Sequence, residues 1–189
     1  MTVEEVYSKL ASHMIEGIMI HDQLSVYYDF LQLKGYKRCH EYHYLCENVA
    51  YRGLNRYYTN HHNKMIEIGQ VPNPEFIPSG WYKYTRMDVD PNTKRNAVKA
   101  GLEKWVDWER TTKDLYQKMY IELMNITEVS SACKVKELVK DVDQELKVAE
   151  RKLLDMKAVD FNLSDILNEQ KPEHKKYKIK MKKLGVSIC

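Results

Sequence analysis

The chain has 189 residues, of which 43% are hydrophobic and 30% charged, with a net charge of +3. That is enough for one domain with a sizeable core, and the composition is ordinary for a soluble globular protein. No apolar run approaches the roughly 20 residues needed to cross a bilayer. The N-terminus, Met1 to Glu5, lacks a basic stretch followed by an apolar one, so no secretory signal is read. The four cysteines show no zinc-type spacing, and reduced thiols in the cytoplasm are the expectation.

Proline placement divides the chain. Four of the five prolines fall between Pro72 and Pro91, and proline removes a donor and clashes with the preceding turn of a helix. The segments on either side are therefore free to be helical. A first helix is expected from about Val3 to Lys34, with Tyr7, Leu10, Met14, Gly17, His21, Leu24, Tyr28 and Leu31 on one face at alternating steps of three and four. Gly35 is expected to break it. A second helix should run from about Tyr36 to Ile68, with His43, Glu47, Ala50, Leu54, Tyr57, His61 and Ile68 as its stripe. That stripe is more polar than a simple core requires.

The connection from about 70 to 93 carries Phe76, Trp81, Tyr82 and Tyr84 among its prolines. It is long enough to run the length of a bundle, because about 3.3 Å per residue exceeds the span of a 32-residue helix at 1.5 Å per residue. Asp90-Pro91 reads as a helix start, with Asp as N-cap and Pro at the first helical position. Capping also explains Asp88-Val-Asp90-Pro-Asn92 better than a calcium loop does, since Thr93 and Lys99 stand where such a loop needs Gly and Glu. The third helix should reach about Ile126, with Val98, Leu102, Trp105, Glu109, Thr112, Tyr116, Met119, Leu123 and Ile126 inward. The fourth, from about Ser131 to Ala158, has the cleanest stripe: Val135, Val139, Val142, Leu146, Ala149, Leu153 and Met156.

Residues 161–189 are read separately from the bundle at 1–160. Asn162–Leu167 could form a short helix capped by Ser164, and Tyr177 to Leu184 alternates apolar residues with lysine as an extended arm or edge strand would. Residues 171–189 hold a net +6, which leaves −3 on the rest. Lys175, Lys176, Lys178, Lys180, Lys182 and Lys183 could meet nucleic-acid phosphates or a neighbouring subunit, or be a solvated tail.

Two long helical hairpins joined by a length-spanning crossover, with Leu33-Lys34-Gly35-Tyr36 at the first turn, resemble the ferritin-like four-helix bundle. The resemblance covers about residues 3–158. It implies an all-α fold with the long connection between helices 2 and 3, and a metal site among the helices. In that layout His21, Glu47, Glu109 and Glu145 all fall about 18–22 Å from one end of the bundle, with His43 one turn from Glu47. Such a donor set suits iron or manganese. The family's Glu-x-x-His pair is absent: Ala50 follows Glu47 at that spacing, and Val148 follows Glu145. The first helix also offers His21 where the family has Glu.

Two readings of these residues stand. In one, they hold a metal in a divergent ferritin-like protein. In the other, they are polar core groups satisfied by tyrosines and by one another, and the chain is a metal-free interaction protein. That protein would be an accessory or mobile-element factor, a homo-oligomer or bound to a protein or nucleic acid, working through the aromatic crossover and the lysines. The triple His40, His43 and Glu47 is read as a solvated helix face.

Overall fold

The computed structural model describes residues 1–72, 85–87 and 89–185. Its five helices are α1 (Val3–Phe30), α2 (Lys34–His62), α3 (Pro91–Asn125), α4 (Val129–Ala158) and α5 (Leu163–Lys183), and no strand occurs among the described residues. Each start has a local cause. Thr2 opens α1 with a capping box closed by Glu5. Asp90 accepts the Thr93 amide at 2.7 Å, with Pro91 next in line. Asn162 caps α5 through the Ser164 amide.

The α1–α2 turn lies at Leu31–Leu33, where Gln32 takes a positive φ of 61°; Gly35, expected to break the helix, sits inside the first turn of α2. Its role is clearance. A Cβ there would come within 2.7 Å of the Gln170 backbone oxygen on α5. Helix α2 also stops earlier than its periodicity suggests, at Asn63 in the left-handed region. Its far end turns Leu54, Tyr58 and half-buried His62 inward, while His61 and Ile68 stay exposed. The first, third and fourth stripes bury as read, apart from the partly exposed Ile126, Val139 and Leu153.

Cross-helix contacts give the directions. Along α1, His13 meets Thr112, His21 meets Glu109 and Tyr28 packs on Gly101, so α1 and α3 run antiparallel. His43 faces Glu145 and His62 faces Ser131, so α2 and α4 are antiparallel as well. Helix α2 ends beside Tyr7, whereas α3 starts near the other end of α1, where Arg86 pairs with Asp29. The two ends of that connection therefore lie at opposite ends of the bundle. Phe76, Trp81, Tyr82 and Tyr84 lie outside the described residues. No helix among the described residues is long and apolar enough to cross a membrane.

The lysine-rich end differs from its reading as an extended arm. It is helix α5, which continues through Pro172 and lies along α2. Ile166, Tyr177 and Met181 are buried, a helical spacing that the lysine alternation obscures. Gln170 Oε1 accepts the Gly35 amide at 2.8 Å, and Lys152 of α4 reaches Glu169 at 2.7 Å and Glu173 at 3.0 Å. The Tyr36 hydroxyl donates to Glu169. Lys175, Lys176, Lys182 and Lys183 are exposed, and Lys178 and Lys180 are half-buried. Because α5 approaches Gly35 so closely, Gly35→Ala is expected to destabilise the protein by about 1–3 kcal/mol through overpacking, measured as a lower urea midpoint. An unchanged midpoint would show that α5 does not seat there.

Candidate metal centre

The apolar core is in two parts. One contains Leu24, Tyr28, Leu31, Leu102 and Trp105, and the other contains Tyr7, Leu10, Leu54, Met119 and Leu123. Between them lies a polar layer. His21, His40 and Glu109 have no exposed surface, and His43 and Glu47 are buried. Helix geometry puts them there: the three-and-four step that turns Tyr36 and Cys39 inward on α2 also turns in His40, His43 and Glu47.

One ligand atom each from His21, His43 and Glu109 can be chosen so that all three lie within 4.8 Å of one another. They come from three helices, α1, α2 and α3. His21 Nε2 is 3.7 Å from Glu109 Oε1, and His43 Nδ1 is 3.5 Å from Glu145 Oε1. Neither contact is a hydrogen bond. His21 Nε2, His40 Nε2, both His43 ring nitrogens and Glu109 Oε2 are buried without a hydrogen-bond partner, although buried polar groups are usually paired. The remaining atoms are positioned: His21 Nδ1 meets His40 Nδ1 at 3.1 Å, and the Trp105 indole donates to Glu109 Oε1 at 2.8 Å.

Burial sets the charges. It pushes His21 and His40 well below the ordinary imidazole range, aided by neighbouring rings. Glu109 is pushed up to about 8 by burial and then by Glu145. Glu47 is raised well above its ordinary value by burial, Glu145 and Glu109. Burial lowers His43, but Cys39 and Glu145 outweigh it and hold it up. Without a cation, the layer thus keeps acids protonated and two imidazoles neutral. A divalent ion would relieve that cost, because it favours deprotonated carboxylate and neutral imidazole.

All five residues singled out from the sequence stand at this level. His21, His43 and Glu109 converge, Glu145 adjoins His43 from the partly exposed side, and Glu47 completes the layer beside Gly17. His40 corrects the solvated-face reading: it is fully buried against His21 and Tyr28. Sequence reasoning also passed over His13, which stacks on Trp108 at 4.3 Å and meets Thr112 Oγ1 at 2.8 Å. Neither lies on the single stripe followed along its helix.

No protein-family model and no curated protein sequence matches the chain. Among solved structures it is similar to an Archaeoglobus fulgidus ferritin engineered into a closed form by site-directed mutagenesis, with a TM-score of 0.75 and 14% identity, over 92% of this chain and 96% of that one. The likeness shows the fold: this chain has an all-α, ferritin-like bundle.

Proposed function

We propose that this protein binds a transition-metal ion at the polar layer, with His21, His43 and Glu109 as inner ligands and Glu145 and Glu47 as adjoining carboxylates. The observation that carries this reading is the set of buried nitrogen and oxygen atoms on three different helices that make no hydrogen bond. A polar core satisfied within itself would have left those atoms hydrogen-bonded. Two imidazoles with carboxylates suit iron or manganese, and the fold's likeness to a ferritin favours iron. When bound, iron supplies one-electron redox chemistry. The chain's own part is to orient the donors: His40 fixes His21 through Nδ1, Trp105 holds Glu109, and burial excludes water.

Binding must displace the protons carried by Glu109 and His43, so affinity is expected to rise with pH up to about 8. Reloading the purified protein with iron(II), then measuring metal content by elemental analysis, tests the reading. Near-stoichiometric iron is expected in the natural chain, its loss in His21→Ala, and weakened retention in Glu47→Ala. Absence of stoichiometric iron, manganese or zinc after reloading would refute it.

A further inference from the structure

His21 and Glu109 are sealed from solvent, so an ion must pass through a wall to reach them. A cavity of about 360 Å³ opens beside the layer, and His43, Glu47 and Glu145 line it together with Asp141. Three helices of the bundle contribute to this cavity. The rest of its lining comes from α5, as Tyr177 and Lys180. Tyr177 is fully buried, lies against the Cys39 thiol and sits 6.2 Å, centroid to centroid, from the His43 ring. Lys180 Nζ rests 4.8 Å above the Tyr42 ring and 5.1 Å above that of Tyr177.

We infer that divalent cations reach the buried triad through this cavity, and that Tyr177 and Lys180 of α5 govern their rate of entry. The inference rests on the metal reading above and adds to it a route and two controlling residues. The Glu145 and Asp141 carboxylates on the wall attract a dication, while Lys180 places a positive charge at the rim that opposes its arrival. The Tyr177 ring stands beside His43, the triad member that lines the cavity.

Helix α5 is built in two parts that suit such a role. Its first half is fastened by Lys152 through Glu169 and by the Gly35 amide, and Lys152 also holds Glu173, the residue after Pro172. Its second half is held by Tyr177, Met181 and the Lys180 ring contacts. Pro172 stands between them, and it has no amide hydrogen to give the preceding turn. The turns beyond Glu173 can therefore yield while the first half stays docked.

Stopped-flow mixing of the full chain with cobalt(II) alone, followed by its absorption, tests the route. Lys180→Glu is expected to speed uptake by about threefold or more. Tyr177→Ala should speed it by about tenfold or more, as removal of a buried contact does. Both should reach the amplitude of the natural chain. Lys182→Glu, an exposed charge on the same helix outside the cavity, should leave the rate within about twofold, since exposed charges are screened.

Uptake at unaltered rates in both variants, or an equal effect of Lys182→Glu, overturns the route alone. No cobalt uptake by any chain overturns the metal reading, and the route with it. A second readout needs no metal. In a Cys46→Ser, Cys133→Ser, Cys189→Ser background, alkylation of buried Cys39 should accelerate by about tenfold on Tyr177→Ala. An unchanged Cys39 rate overturns the part assigned to Tyr177. Should Tyr177→Ala fail to fold, Lys180→Glu decides the question by itself.

Discussion

Lys152→Ala is expected to cost about 3 kcal/mol, the lower end of the range for breaking a buried ion pair by removing one partner. The Lys152 side chain is 6% exposed and lies between Glu169 and Glu173, whose side chains are 24% and 14% exposed. Its ammonium also sits 4.9 Å above the Tyr36 ring. Removing it leaves two carboxylates close together with no buried cation between them. Their partial exposure lets water replace some of the lost interaction, which is why the lower end applies. Because these contacts fasten α5 to α4 and α2, the loss should appear first as release of α5. Urea unfolding followed by far-ultraviolet circular dichroism should show an early helical transition before the main one. A single transition with an unshifted midpoint would mean that the triad contributes nothing to docking. Lys152→Met, which keeps the apolar stem, should recover part of the loss.

Glu109→Leu is expected to abolish metal loading while changing the metal-free protein in a pH-dependent way. Glu109 titrates at about 8 in the fold against an ordinary 4.5. Between those values the unfolded chain binds fewer protons than the folded one. The stability of the natural protein therefore falls as pH rises from about 4.5 to 8, and this contribution levels off above that. The leucine variant lacks this slope. It loses the Trp105 hydrogen bond and leaves that indole buried without an acceptor, costing about 1–3 kcal/mol. It also gains about 1–4 kcal/mol from no longer burying an ionisable group. The two effects set a crossing: the variant is less stable near pH 5, and equal or more stable near pH 8. Thermal unfolding across that range, with chelator present, measures the crossing. Parallel curves would show that Glu109 is not held protonated in the fold.

The helices could be read because their causes are local. Asp90-Pro91 fixes the start of α3, and the stripe from Val98 to Leu123 buries as its spacing requires. The level shared by His21, Glu109 and Glu145 followed from counting rise per residue along helices whose directions the crossover dictates. What escaped depends on pairing at long range. Gly35 looked like a breaker because its true reason, the Gln170 backbone 135 residues later, is not a local property. His40 looked solvated because α2 was assigned a single inward face. In the structure α2 has a second buried flank: His40 packs on His21 and Tyr28 of α1 and on Trp105 of α3, while Tyr36, Cys39 and Tyr177 belong to the same core under α5. The lysines of α5 hid a buried set, Ile166, Tyr177 and Met181, too sparse to dominate the pattern.

The donors are split between the halves of the chain: His21, His43 and Glu47 belong to the first hairpin, Glu109 and Glu145 to the second. An ion held among them would act as a rivet across the seam, and its binding free energy would add directly to the work of separating the hairpins. If the backbone were cut within the crossover, the severed halves would clasp each other more tightly in the presence of the metal than in its absence.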